Sequence, residues 1–317
     1  MKTRKPTLAE TLLFRSSEAI ARTPARPLAF VLLTKLKSRR TAIQGIDLER
    51  ARIKAHNGAT LEALEMVKEE LRLFPDSGVA RCFLEELQAR SPTKEPSSTA
   101  LQDAEFLSLY EKVRPYTMLS AERLLSLFNG AKAVCVEEVP GNFVECGVAG
   151  GGSSALLAWT IKRFSRHQRK IYAFDTFEGM PDPGPEDTRR GVQANATGWG
   201  SGTCAAPVSC LRKICEVLDV WDLVVPVQGL FQNTLPSMRA EIGDVSLLHL
   251  DGDWYDSTRS VLENLYDQVS SGGFVQIDDY GFWEGCRKAV DEFEKERSLS
   301  FAKRPVDSSG ICFRKAV

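Results

Sequence analysis

The residues with the clearest chemical potential are four aspartates at the ends of two apolar runs. Val245 to Asp251 (VSLLHLD) continues into Gly252 and Asp253, and Gly273 to Asp278 (GFVQID) continues into Asp279 and Tyr280. Each run reads as a short buried strand, and in an open parallel sheet ligands lie outside the carboxyl ends of the strands. Four carboxylates at two neighbouring strand ends repel one another unless a cation neutralises them. Hard oxygen donors with no cysteine or histidine cluster suit Mg2+ better than zinc. Helix capping accounts for one of these aspartates easily and for all four poorly. His249 shares a strand face with Asp251. It can orient a ligand there, or it can be a core histidine bonded to backbone, which is the commoner use. Tyr280 can line a pocket or simply pack.

A second constellation precedes these. Asn142 to Cys146 (NFVEC) opens into Gly147-Val148-Ala149-Gly150-Gly151-Gly152, where glycines let a ligand approach the backbone and the next helix presents free N–H groups. The spacing is GxxGGG, whereas a dinucleotide fingerprint is GxGxxG. The same glycines also suit a tight strand-to-helix turn. Lys170 to Asp175 (KIYAFD) ends about 25 residues later in Asp175, placed to accept from the two hydroxyls of a ribose or to cap a turn.

Strand-then-helix grammar positions all of these residues. Helical patterns run over Leu101 to Val113 and from Ser120, an N-cap, to Glu137. Strands at NFVEC, KIYAFD, Leu223 to Gln228, VSLLHLD and GFVQID then alternate with helices such as Ser153 to Phe164. The expectation is an α/β fold with a mostly parallel sheet covered on both faces. Ser300 to Arg304 and Ile311 to Arg314, around Ser308-Ser309-Gly310, suggest a terminal hairpin.

The chain has 317 residues, 43% hydrophobic and 26% charged, which excludes wholesale disorder and a coiled-coil rod. No stretch approaches the roughly 18 uninterrupted apolar residues that a membrane span needs. The eight cysteines have no zinc spacing and several lie in apolar runs, so a reducing, cytoplasmic setting is expected. The net charge of -1 conceals an asymmetry: residues 1–54 hold 13 Lys or Arg against 4 Asp or Glu. Residues 1–45 read as a basic, helical arm. Residues 46–90 read as a helical hairpin like one tetratricopeptide unit, broken at Phe74-Pro75-Asp76. Residues 91–100 read as a Ser/Thr/Pro-rich linker, and 101–317 as the domain that carries the chemistry. The arm suits docking to an acidic partner protein, an anionic membrane surface or the acidic remainder of the chain. Nucleic acid is not expected, because no recognisable binding module accompanies the basic residues, and a homo-oligomer is left open.

Six of these segments together resemble the macrocin O-methyltransferase (TylF-type) family. They are Tyr116-Thr117-Met118-Leu119-Ser120, Pro140 to Val148, Asp175-Thr176-Phe177-Glu178-Gly179-Met180-Pro181, Thr234-Leu235-Pro236, His249 to Asp253 and Asp278-Asp279-Tyr280. The resemblance spans Tyr116 to the C-terminus and implies a Rossmann-like class I methyltransferase with a seven-stranded sheet ending in an antiparallel hairpin. It implies S-adenosylmethionine and Mg2+ as cofactors and a sugar hydroxyl as acceptor, typically on a deoxysugar of a glycosylated natural product. Carried over by position, Glu145, Gly147, Val148, Gly150 and Gly151 approach the methionine moiety, and Asp175 holds the ribose. Thr176, Phe177 and Glu178 complete that turn, and Thr117 and Met118 close over the cofactor. Asp251, Asp278 and Asp279 hold the metal, with Asp251 also the general base. Thr176 stands where the family often has serine. The segment Gly179 to Pro207, with six glycines, is assigned to acceptor recognition and closure, with Trp199 as a sugar-stacking residue; a disordered insertion is the alternative. Rival readings are an O-methyltransferase of the same fold acting on a catechol-like or polyketide hydroxyl, a nicotinamide oxidoreductase, and a non-catalytic helical-hairpin scaffold.

Overall fold

The computed structural model describes residues 7–21, 26–38, 43–56, 60–90 and 103–316. The expected linker at 91–100 lies outside them. The chain divides into two compact units, Met1–Glu95 with Ala196–Gly198, and Pro96–Asn195 with Trp199–Val317. No helix among the described residues is long and apolar enough to cross a membrane.

The first unit contains α1 (Leu8–Ala21), α2 (Arg26–Ser38), α3 (Ile46–His56), α4 (Thr60–Leu73) and α5 (Gly78–Arg90). A reciprocal Thr7–Glu10 cap starts α1: Glu10 N donates to Thr7 Oγ1 (3.3 Å) and Thr7 N to Glu10 Oε2 (2.9 Å). Phe14, Leu33, Leu36, Ile46 and Ile53 form one apolar cluster, and Ala51, Ala63, Val67, Phe83 and Leu87 another. The basic arm is therefore part of a helical unit with its own core. The run expected as the first helix of a hairpin is divided between α3 and α4. Buried Glu70 accepts from Gly45 N (2.6 Å) and Asp47 N (3.1 Å) at the start of α3, where a helix favours negative charge. Several cations of the basic stretch 1–54 find acids nearby: Lys37 and Arg50 pair with Asp47, Arg52 with Glu49 and Lys54 with Glu62.

The second unit begins with α6 (Ala104–Val113) and α7 (Ala121–Val136), capped by Asp103, which accepts from Phe106 N, and Ser120, which accepts from Arg123 N. There follow β1 (Asn142–Cys146), α8 (Gly152–Phe164), β2 (Ile171–Asp175), the two-residue strands β3 (Thr188–Arg189) and β4 (Val192–Gln193), α9 (Ala194–Thr197) and α10 (Val208–Val217). The chain continues through β5 (Val224–Gln228), α11 (Phe231–Ile242), β6 (Val245–Leu250), α12 (Tyr255–Leu265), β7 (Val269–Ile277), α13 (Glu284–Glu296), β8 (Arg304–Pro305) and β9 (Ile311–Arg314). The seven-stranded sheet has the order β5-β2-β1-β6-β7-β9-β8, parallel through β7, with β9 antiparallel to both β7 and β8. This is the Rossmann-like arrangement with a terminal hairpin. Strand order reverses between β1 and β6, which opens a crevice at their carboxyl ends.

Alternate residues of the buried strands feed two cores. Phe143, Leu247 and Phe274 pack under α6, α7 and α8, whereas Val144, Leu248, Leu250, Val275 and Ile277 pack under α11, α12 and α13. Each such side chain contributes about 1.5–3 kcal/mol on leaving water. On the first face, two residues further along, the row turns polar with Glu145, His249 and Gln276, neighbours across three strands and all fully buried.

The segment Gly179 to Pro207 is built rather than irregular. Arg190 and Gly191, both at positive φ (51° and 72°), make the tight turn of the β3–β4 ribbon. Buried Asp187 accepts from Gly184 N and Tyr255 N (each 2.7 Å), and Trp254 Nε1 donates to Pro181 O (2.9 Å). Arg189 lies over the Phe282 ring at 3.7 Å, and Trp199 is half-buried against the second core.

Candidate active site

The strand ends are staggered so that the aspartates meet. Asp251 N donates to Cys146 O (2.8 Å) and Asp278 N donates to Leu250 O (2.9 Å), which sets the two residues that follow β6 and β7 side by side. Among the described residues, Asp251, Asp278 and Asp279 form a group whose candidate ligand oxygens lie within 4.8 Å of one another. Asp278 Oδ1 and Asp279 Oδ2 are buried and accept no hydrogen bond. Orphaned carboxylate oxygens of this kind are costly unless a cation answers them. Burial, with the charges of Asp278, Asp279 and Asp253, pushes Asp251 well above the ordinary carboxylate range. Burial and Asp278 push Asp279 up to about 6. Asp278 behaves oppositely: burial opposes its charge, but Arg123 and His249 outweigh it and hold it below the usual range.

Sequence reasoning missed Arg123, and it singled out His249 without its carboxylate partners. Arg123, from α7, pairs with Asp278 and with Asp307. His249 is fully buried as expected, yet its partners are carboxylates rather than backbone: Nδ1 lies 2.8 Å from Glu145 Oε1 and Nε2 3.6 Å from Asp278 Oδ1. Burial disfavours its charge, but these two acids raise it to about 9, so the ring is an imidazolium at neutral pH. Period-two spacing alone puts Glu145 and His249 on the same face as Phe143 and Leu247; the β1–β6 register makes them neighbours.

This geometry changes the part assigned to Glu145. It was expected to approach the methionine moiety, but it is fully buried, with Oε1 on His249 and Oε2 accepting from Ser154 Oγ. Phe177 likewise packs its ring into the first core, so what its position offers a ligand is backbone. The remaining residues gather at the carboxyl edge of β1 and β2. Asp175 Oδ2 accepts from Val148 N (2.7 Å) and Ala149 N (3.0 Å), and Oδ1 accepts from Phe177 N (2.7 Å), joining the two turns. Thr176 Oγ1 donates to Gly179 O (2.6 Å), and Glu178 is exposed on that turn.

The glycines serve the protein as well as any ligand. A Cβ on Gly147 would lie 1.9 Å from the Asp251 carbonyl oxygen, one on Gly150 2.6 Å from Tyr116 O, and one on Gly151 2.6 Å from Leu211 Cα. A Cβ on Gly152 would lie 2.9 Å from Thr117 Cβ, so the segment bearing Thr117 and the 47% exposed Met118 runs directly against the start of α8. No side chain caps α8, which begins after Gly151 at φ 90°. Its first-turn N–H groups are left for other acceptors.

Residues 63–315 match the Macrocin-O-methyltransferase (TylF) family, so the match begins within α4, well before Tyr116. The chain is 35% identical over 202 residues to the 8-demethyl-8-(2,3-dimethoxy-alpha-L-rhamnosyl)-tetracenomycin-C 4'-O-methyltransferase of Streptomyces olivaceus, covering 63% of this chain and 75% of that one. It is 29% identical over 205 residues to the mycinamicin III 3''-O-methyltransferase of Micromonospora griseorubida, covering 63% and 79%. The solved structure of the O-methyltransferase NovP superposes with a TM-score of 0.58 at 32% identity, covering 64% of this chain and 83% of that one. Taken with the sheet order and the crevice between β1 and β6, these matches place the chain in the TylF macrocin-O-methyltransferase family, as an O-methyltransferase that uses S-adenosylmethionine.

Proposed function

We propose that the enzyme methylates a sugar hydroxyl of a glycosylated natural product, with a deoxysugar as acceptor, and that Asp251, Asp278 and Asp279 hold a divalent cation of the Mg2+ type. The observation that carries the cation reading is the pair of buried oxygens on Asp278 and Asp279 that accept no hydrogen bond, within a cluster of three carboxylates. An all-oxygen donor set suits Mg2+, and a cation offsets both the burial and the mutual repulsion that raise Asp251 and Asp279. The sugar reading rests on the relatives, two of which are named for methylation at numbered sugar positions.

An alcohol is a poor nucleophile because it keeps its proton at neutral pH. When bound, S-adenosylmethionine supplies an activated methyl group and a divalent cation supplies charge stabilisation for the acceptor oxygen. The protein's own part is to orient and to move a proton. Asp251, at the crevice mouth, takes the proton from the acceptor hydroxyl; general bases of this kind contribute roughly 10²–10⁴-fold. The turn Gly147 to Gly151, Asp175 and the Thr117–Met118 segment surround the cofactor side of the crevice. The segment Gly179 to Pro207, latched by Asp187 to the start of α12, forms the acceptor side and limits water access.

The test is methyl transfer from S-adenosylmethionine to a panel of deoxysugar glycosides, their aglycones and simple catechols, with and without EDTA. Methylation of glycosides alone, lost on chelation and restored by Mg2+, is expected. Turnover of catechols but not glycosides would overturn the acceptor assignment, and full activity in EDTA would overturn the cation.

A further inference from the structure

Arg123 lies far in sequence from every carboxylate it touches and takes no part in the proton transfer above. Nε donates to Asp307 Oδ2 (2.8 Å), one terminal nitrogen to Asp278 Oδ2 and the other to Ser309 Oγ. Its side chain is only 17% exposed. Asp307 and Ser309 lie in the turn between β8 and β9, and that turn is itself tied down. Asp307 Oδ1 accepts from Ser309 N (2.9 Å) and Gly310 N (2.8 Å), and its Oδ2 also accepts from Ser120 Oγ (2.9 Å) at the cap of α7. Two edges of the guanidinium are thus fixed by the C-terminal hairpin, and the third is spent on Asp278. A planar guanidinium held at its other two nitrogens fixes the point and direction from which the third donates to Asp278 Oδ2, which a flexible ammonium does not. The other oxygen, Asp278 Oδ1, remains buried without a hydrogen bond, 3.6 Å from His249 Nε2.

We propose that Arg123 is a positioning residue for the cation site: clamped by Asp307 and Ser309, it holds the Asp278 carboxylate where it meets those of Asp251 and Asp279. The C-terminal hairpin thereby acts on the site through a single side chain. This inference rests on the cation reading above. It predicts a sign opposite to charge counting, by which a permanent cation beside a metal site repels the metal, so that its removal tightens binding. Positioning predicts that its removal loosens binding.

The experiment is calorimetric titration of the full chain, saturated with S-adenosylhomocysteine, with MgCl2 and with MnCl2, alongside thermal unfolding and S-adenosylhomocysteine affinity. Arg123→Lys keeps the charge and loses the fork; Arg123→Gln loses both. Both variants are expected to bind the cation about 10- to 100-fold more weakly at unchanged S-adenosylhomocysteine affinity, as for other residues that orient metal ligands. Wild-type affinity in Arg123→Lys, or tighter binding in Arg123→Gln, would overturn the inference. If the Arg123 variants do not fold, Ser309→Ala, which removes one hydroxyl from the clamp, decides: weaker cation binding supports the clamp and unchanged binding refutes it. A wild-type chain that binds neither ion refutes the cation reading itself, a result distinguishable from wild-type binding that the variants leave unaltered.

Discussion

Gly147→Ala tests how closely the cofactor turn and the catalytic strand end are joined. Gly147 sits at φ +100°, and an added Cβ would lie 1.9 Å from the Asp251 carbonyl oxygen and 2.8 Å from its carbonyl carbon. A carbon–oxygen contact normally needs about 3.3 Å, so the ends of β1 and β6 must part by more than ~1 Å. No rotamer change relieves this, because both clashing atoms are backbone. The parting strains the bond Asp251 N to Cys146 O (2.8 Å), and the shift of Gly147 strains its bond to Phe174 O on β2 (2.9 Å). Losing one or two of them costs about 0.5–1.5 kcal/mol each. The forced backbone conformation adds about 1–3 kcal/mol. The sum, roughly 1.5–6 kcal/mol, lowers the melting temperature by roughly 3–24 °C at about 2–4 °C per kcal/mol for a domain of this size. Asp251 moves with its carbonyl, and a misplacement of about 1 Å costs on the order of 10²-fold in rate. Differential scanning fluorimetry, S-adenosylhomocysteine binding and methyl transfer below the melting temperature provide the assay. A variant with wild-type melting temperature and turnover would show that the two strand ends are not in contact as described.

Asp251→Asn is expected to lower methyl transfer by about 10²–10⁴-fold while S-adenosylhomocysteine affinity, measured by calorimetry, stays near wild type; unchanged turnover would remove Asp251 as the base. Glu145→Gln breaks a buried ion pair with His249 and should cost about 3 kcal/mol or more in denaturant unfolding, with cofactor affinity little changed. The reverse pattern would restore Glu145 to the cofactor. Burial pushes Asp187 above the ordinary carboxylate range; the Tyr255 and Gly184 amides oppose this, and Asp256 and Glu186 add to it. Its contribution to stability is therefore full below the unfolded value, about 3.9, and is lost as pH rises through the folded value. Asp187→Asn removes that titration at the expense of one amide acceptor. The melting temperature of the variant relative to wild type should then climb as pH rises above about 4, and parallel profiles would refute the assignment.

The fold was legible because parallel strands buried on both faces appear as uninterrupted apolar runs. NFVEC and ICFR coincide with β1 and β9, and KIYAFD and VSLLHLD differ from β2 and β6 by one residue. β7 begins at Val269 rather than Gly273, because Ser270, Ser271 and Gly272 carry no apolar signal although Val269 pairs with Val245. The β3–β4 ribbon was hidden by the glycine and proline around it, although Arg190-Gly191 between two short β-capable pairs is a turn signal in its own right.

The aspartates of the site were legible for a local reason: each directly follows a strand. What holds them was not, because those contacts join Arg123 and His249 to Asp278 and Glu145 to His249, pairs that only the tertiary fold brings together. Apolar alternation cannot flag such residues, since they interrupt it. Buried polar side chains at 123, 145 and 249 gain folding little that well-packed hydrophobes would not match, and each costs desolvation. Arg123 and His249 converge on the Asp278 carboxylate, Arg123 meeting one oxygen and His249 approaching the other, and Glu145 acts through its contact with His249. The pattern that reveals the sheet therefore breaks down at the residues that set the site, and a charged position inside a strand that otherwise reads as core is itself the sign to follow.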